Sequence, residues 1–357
     1  MVSIRWITKQ LSWFCLLCCM VMLVSCSNTT TPTPDGGAVD GGVHDGDTKP
    51  KTKPHKTYPL DDVLRLNHIQ VVGTHNSYHL KPTTGGVKEW QFSHAPLDEQ
   101  LEKQGVRQFE IDIHWDTEKN TFVVRHIPLL DPRTTCELYS DCLKVMKKWS
   151  DQSPQHLPIF VFIEPKDKGQ FKPFPIKDAY GKLDEITAQI IPKDRMITPD
   201  SLRGKHATLK EALEKDGWPT LGKVRGKFVF VLLGGGLQKE YSHGDKHLKG
   251  RLMFMTSGVD KPYTAVTAID DPFKEEEIKK AVKANLIIRT RADSGLEGDP
   301  KRLEAALRGG GHILSTDFPI KRDIAPGYIV QMPGGKPARC NPITAPAKCT
   351  PEALENF

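Results

Sequence analysis

Between Tyr58 and Tyr328 the chain repeats one pattern, a short apolar run followed by a longer polar stretch. The runs are Ile69–Thr74, Gln108–Ile113, Phe122–Arg125, Pro158–Glu164, Lys227–Leu233, Leu252–Met255, Asn285–Thr290 and His312–Ser315. Near-continuous apolar character suits strands covered on both faces, as in a parallel sheet, and fits half-exposed strands poorly. Between the first two runs, Leu97 to Gln104 has helical spacing and stops at Gly105. Strand and helix in alternation predict an α/β domain. Eight runs within about 270 residues match the size of one (β/α)8 TIM-type barrel. No internal repeat is visible.

The ends of the chain read differently. Arg5 and Lys9 precede an apolar run, Leu11 to Ser25, that is too short to span a bilayer comfortably. Residues 1–25 therefore read as a signal peptide. The sequence Leu23-Val24-Ser25-Cys26 resembles the lipobox of bacterial lipoproteins. That resemblance implies lipidation of Cys26 and an exported protein, lipid-anchored to a bacterial membrane at the cell surface or in the periplasm. An ordinary secretory signal cut nearby is the alternative. Residues 26–57 are rich in Thr, Pro, Asp, Gly and Lys, and bury too little apolar surface to offset their ordering entropy. They are expected to form a disordered tether. The aspartates from Asp35 to Asp47 lack the terminal Glu of an EF-hand loop, so they read as solvated linker. Residues 58–328 form the expected barrel, and the Pro- and Gly-rich residues 329–357 a tail packed on it.

Eight cysteines divide cleanly. Cys15, Cys18 and Cys19 lie in the signal, and Cys26 is the lipid site. Export of the remaining four invites two disulfides, and proximity favours Cys136–Cys142 and Cys340–Cys349. Zinc is the rival, but the spacings do not match the usual CxxC pairs. The net charge of +6 falls to about +4 without residues 1–25, which suits an anionic surface without arguing for one. The lysines are scattered and not clustered with aromatics, which argues against nucleic acid.

The polar residues at the strand ends are more informative. Ile69-Gln70-Val71-Val72-Gly73 runs into Thr74-His75-Asn76-Ser77, delivering a histidine and an amide to a carboxyl end. Along the next run Glu110, Asp112 and His114 share one face. Carboxylates on an otherwise apolar strand are costly to bury unpaired, so a cation is the simplest partner, and oxygen donors point to calcium or magnesium. The third run ends on His126, and two histidines at the ends of nearby parallel strands converge on one mouth. Glu164 and Lys166 share a face after the fourth. Arg289, Arg291 and Asp293 align on another strand, and arginine forks match the geometry of phosphate. Two histidines suit general acid–base catalysis, and an oxygen-ligated metal suits neutralising phosphate charge. Together they describe a site that cleaves a phosphodiester.

These segments, Gly73-Thr74-His75-Asn76-Ser77, Glu110-Ile111-Asp112, Arg125-His126 and Glu164-Pro165-Lys166, resemble the calcium-dependent bacterial branch of the phosphatidylinositol-specific phospholipases C. Arg289 to Asp293 and Ser315-Thr316-Asp317 look like later segments of that branch. The resemblance spans Leu66 to Phe318. It implies a (β/α)8 barrel, regular or distorted, with His75 and His126 as the catalytic pair. It also implies Asn76, Glu110, Asp112 and Glu164 as ligands of Ca2+, with Lys166 and Arg291 holding the headgroup. The implied reaction attacks phosphorus with the inositol 2-hydroxyl and expels diacylglycerol, leaving a cyclic inositol phosphate that water then opens. The expected partner is a phosphoinositide lipid at a membrane surface, met by a monomer.

Two rivals compete. Glycerophosphodiester phosphodiesterases and related barrel phospholipases D also use two histidines and a Glu-x-Asp pair, but there Arg-Gly typically follows the first histidine, where Asn76 and Ser77 stand here. A non-catalytic lipoprotein that binds lipid or glycan has no need of two histidines. Other motifs carry less. His243 and His247 lie in a loop without a third ligand, and Gly234-Gly235-Gly236 has no P-loop Lys after it. Ser77 has no Gly-x-Ser-x-Gly elbow around it.

Overall fold

The structure, a computed structural model, describes residues 52–168, 170–234, 238–242 and 247–355. The expected signal peptide, Cys26 and the part of the expected tether before residue 52 lie outside the described residues. Strands β1 to β10 are Ile69–Thr74, Gln108–Asp116, Thr121–Val124, Ile159–Pro165, Phe228–Leu232, Phe254–Met255, Val266–Ala268, Ile287–Arg291, Ile313–Thr316 and Ala338–Cys340. Helices α1 to α9 are Leu97–Lys103, Tyr139–Gln152, Ala179–Ile190, Pro199–Arg203, Leu209–Lys215, Leu221–Val224, Gln238–Tyr241, Glu275–Lys283 and Pro300–Arg308. Among the described residues no helix is long and apolar enough to cross a membrane.

Eight strands are parallel, in the order β6-β5-β4-β2-β1-β9-β8-β7, and make a nearly closed barrel of the TIM type. The ladder ends at β6 and β7, so the barrel's seam lies between them. The hydroxyl of Thr267 on β7 donates across it to the carbonyl of Ser257, just past β6, at 2.8 Å. Strand interiors such as Phe109, Ile111, Val161, Phe162, Phe230, Ile288 and Leu314 are fully or almost fully buried. Burial of each such side chain contributes about 1.5–3 kcal/mol, which is the main reason these runs become strands. On α2, Tyr139, Cys142, Leu143, Met146 and Trp149 recur at helical spacing and form the buried stripe.

Two expectations need correction. The run ending at His126 is not a barrel strand: β3 pairs antiparallel with the outer half of β2, from Ile113↔Val124 to Asp116↔Thr121. Only four residues separate the two strands, too few for the crossover that a parallel pair requires. The eighth parallel strand is β7, whose three residues include a threonine and leave almost no apolar pattern to read. The tail also does more than pack, because β10 pairs antiparallel with the first half of β1.

The face below the strand starts is covered by residues near both limits of the described chain. Arg107, at the foot of β2, is fully buried and forms a bidentate pair with Glu355, with Nη2 to Oε1 at 2.5 Å and Nε to Oε2 at 3.0 Å. The amide of Leu157 donates to the same carboxylate at 2.9 Å. Lys53, expected within the tether, donates its amide to Gln152 at 2.8 Å. Cys136 is bonded to Cys142 and Cys340 to Cys349, the pairing expected from proximity.

Candidate active site

The site grows from the end of β1. A side chain at Gly73 would run into Gln108 on β2, with a Cβ only 2.8 Å from the Cβ of Gln108, so the two backbones meet closely because residue 73 has none. Beyond it the chain turns through Asn76, which is buried and left-handed at φ 45°, a conformation asparagine tolerates better than most residues. Ser77 fastens this turn to β2: its amide donates to the Glu110 carbonyl at 3.0 Å and its hydroxyl accepts from the Glu110 amide at 2.8 Å. His75 is thereby held beside Glu110, with its Nε2 3.7 Å from Oε1.

Glu110, Asp112 and Glu164 bring carboxylate oxygens within 4.8 Å of one another. The parallel register places Asp112 directly against Glu164. Three acids so close need cations. Arg289 bonds Glu110 through Nη2, while Lys166 bridges Asp112 at 2.8 Å and Glu164 at 3.0 Å. Burial raises Asp112 to about 7, with Lys166 opposing and the other two carboxylates adding to the rise. Burial works against the charge on Lys166, but Asp112 and Glu164 outweigh it and lift the ammonium to about 12. Burial alone would raise Glu110 too; Arg289 and then His75 hold it below the usual carboxylate range.

The buried Oδ1 of Asp112 has no hydrogen-bond partner. An orphaned carboxylate oxygen, in a set of hard oxygen donors held together only by a lysine and an arginine, fits a calcium ion. Glu110, Asp112 and Glu164 would hold it, and Asn76 stands at the same strand end.

Both histidines have their inner nitrogen committed. His75 Nδ1 lies 2.9 Å from Asp317 Oδ1, and His126 Nδ1 lies 2.8 Å from Asp131 Oδ2. Each bond places the proton of a neutral ring on Nδ1 and leaves Nε2 without one. Asp131 is buried and also takes His79 Nε2 at 2.9 Å. Burial opposes its charge, but the two histidines hold it below the usual range. Asp317 is likewise held well below that range by His75 and Arg291 against the effect of burial.

Two more histidines brace the backbone. His94, pushed down to about 3 mainly by burial, meets the His75 carbonyl through Nε2 at 3.0 Å. His114, pushed down to about 4 mainly by burial, meets the carbonyls of Arg125 and His126 at 2.9 and 3.3 Å. Neutral rings in these positions donate, and so fix the chain that carries His75 and His126.

Of the residues expected to bind substrate, Lys166 sits in the carboxylate cluster. Arg291 is partly exposed and reaches Asp317 Oδ2 at 3.0 Å. Arg289 is buried and spans Glu110, Asp270 and Ser315. Asp293 has no exposed surface; it accepts from the Thr316 hydroxyl and, at 3.0 Å, from the Asp317 amide. It lies beneath Asp317 and steadies it. Asp131, His79 and His94 went unread in the sequence because they belong to loops, whose pairings, at separations from 5 to 52 residues, leave no periodic trace.

A family model described as phosphoinositide phospholipase C, Ca2+-dependent, matches residues 64–123 and 116–342. Among solved structures, a calcium-dependent phosphoinositol-specific phospholipase C from a Gram-negative Pseudomonas species aligns with TM-score 0.56 and 19% identity, over 79% of this chain and 97% of that one. A Ca2+-dependent phosphatidylinositol-specific phospholipase C from Streptomyces antibioticus aligns with TM-score 0.55 and 18% identity, over 72% and 96%. A comparison with curated protein sequences finds no match.

Proposed function

Because the chain belongs to the Ca2+-dependent phosphoinositide phospholipase C family and so cleaves the phosphodiester of phosphatidylinositol-type lipids, we propose that His75 and His126 are its acid–base pair. The observation that carries this is the matched pair of aspartate-braced histidines, one of them flanking the carboxylate cluster. His75 Nε2 takes the proton of the inositol 2-hydroxyl as that oxygen bonds to phosphorus. His126 Nε2 gives a proton to the glycerol oxygen as its bond to phosphorus breaks. Diacylglycerol leaves, and a cyclic inositol phosphate remains for water to open. Asp317 and Asp131 stabilise each ring when it carries the extra proton. Asn76, Glu110, Asp112 and Glu164 would hold calcium, which when bound would supply positive charge to offset that of the phosphate and to favour ionisation of the attacking hydroxyl. Lys166 and Arg291 meet the phosphate and inositol hydroxyls, with Arg289 and Asp293 setting Glu110 and Asp317 behind them.

The protein meets its lipid at a membrane surface as a monomer. Its leader and the Leu23-Val24-Ser25-Cys26 motif support export and lipidation at Cys26. The test of the acid–base pair is substitution: His75→Ala and His126→Ala should each lower turnover by ~10²–10⁴ without changing the unfolding midpoint. Near-normal turnover in both variants would remove the mechanism.

A further inference from the structure

Directly after His126, the chain does something a stable soluble fold does not call for. Ile127 and Asp131 pair through both backbone bonds, at 3.2 and 2.8 Å, and close a tight hairpin whose tip is Pro128-Leu129-Leu130. Leu129 is 94% exposed and Leu130 65%, the two most exposed large apolar side chains among the described residues. Leu129 also has φ 71°, a left-handed conformation that costs a leucine energy. Neither folding nor solubility gains from leucine here. Single exposed apolar residues are ordinary, but two adjacent ones on a projecting tip are not.

We propose that this leucine hairpin inserts into a phosphatidylinositol-containing bilayer and docks the barrel's mouth on it. The inference rests on the phospholipase reading above. A phospholipid keeps its acyl chains in the bilayer while its phosphate reaches His126, so the rim carrying His126 is the one that meets lipid. The hairpin springs from that rim: His126 precedes it, and its last residue, Asp131, holds both His126 and His79. Trp90 stacks edge-on to His126 at 5.9 Å, with the half-exposed Val87 three residues before it. Charge agrees. Exposed Lys81 and Arg133 flank the hairpin's base, where the Arg133 guanidinium bonds the Lys81 carbonyl at 2.6 Å, and cations beside an apolar tip suit an anionic lipid. One short hairpin thus joins surface contact to the orientation of a reactive histidine.

The test uses residues 49–357, which form one compact unit, so that no acylated Cys26 anchors the protein by itself. Leu129→Asn with Leu130→Ser removes the apolar tip while keeping the hairpin, because asparagine accepts the left-handed conformation. Binding is read by cosedimentation with phosphatidylcholine vesicles containing phosphatidylinositol. Turnover is read on those vesicles and on a short-chain phosphatidylinositol dissolved as monomers. The expected result is binding and vesicle turnover about 10- to 100-fold weaker, monomer turnover within about twofold of wild type, and an unchanged unfolding midpoint. Unchanged vesicle binding would overturn the proposal, as would an equal loss on monomers, which would make the hairpin only a brace for Asp131. A wild-type protein that binds vesicles but cleaves neither substrate would defeat the phospholipase reading and leave the docking result to stand on sedimentation.

Discussion

On the proposed mechanism, Asp317 and Asp131 matter as much as the histidines, although neither would touch the reacting bond. Each decides which nitrogen of its histidine is free. Asp317→Asn should therefore lower kcat by about a hundredfold or more while leaving calcium binding intact. Asp112→Asn should do the reverse at the metal. Calcium should raise the unfolding midpoint of the wild-type protein and of Asp317→Asn, and should fail to raise that of Asp112→Asn. Thermal melts with and without calcium, set beside initial rates, check both. The carboxylates were legible in the sequence because Glu110, Asp112 and Glu164 sit on strands, where alternation shows them and, for Glu110 and Asp112, a costly burial betrays them. Asp131 and His79 were not, since a loop sequence has no periodicity to show which ring or carboxylate a side chain will meet, whether 5 or 52 residues away. Asp293 was legible as part of an ionic strand end, but its depth was not. Only the structure shows its oxygens turned to Thr316 and Asp317.

At the scale of elements, the strands that carry the site appear within three residues of where their apolar runs place them. β1 coincides with its run, and α1 stops before Gly105 as its spacing requires. Direction and pairing are harder. Nothing in Thr121–Val124 says that it folds back on β2, because a short apolar run looks the same parallel or antiparallel. The last segment is the other surprise, and it is energetically testable. Glu355 neutralises Arg107 at the barrel's foot, where both are buried. Glu355→Gln leaves that guanidinium without its countercharge and should cost about 3–5 kcal/mol, read as a lower urea midpoint with little change in slope. A loss under about 1 kcal/mol would mean the tail is held by β10 and the Cys340–Cys349 bond instead.

For the whole molecule, the two faces of the barrel do different work. Residues 53–56 bond to Gln152 and Gln155 beside the strand starts, whereas the histidines lie at the strand ends. Stability of the molecule should also depend on pH through histidines buried as neutral rings. His312 and His156 are pushed down to about 4, chiefly by burial. In His312 the Nδ1 accepts from the Ile288 amide at 3.1 Å and the Nε2 meets the Asn67 carbonyl at 3.0 Å, so no site remains for a second proton. The unfolded chain takes protons near pH 6.5 and the folded one only near pH 4. Stability is therefore lost as pH falls across that window, by up to about 3 kcal/mol for each ring. Burial holds Asp293 and Asp184 up at about 6, and these act in the opposite sense. The clean measurement is thus a difference: between pH 7.5 and 4.5 the unfolding midpoint of His312→Gln should fall less than that of the wild-type protein, and an equal fall would remove His312 from the account.

The most direct test of calcium-assisted cleavage at this two-histidine site is to incubate the protein with phosphatidylinositol vesicles, with calcium or with chelator, and to measure diacylglycerol and water-soluble inositol phosphate together. Release of both with calcium, and of neither with chelator, is the expected result. Phosphatidic acid with free inositol, or release indifferent to chelator, would contradict it.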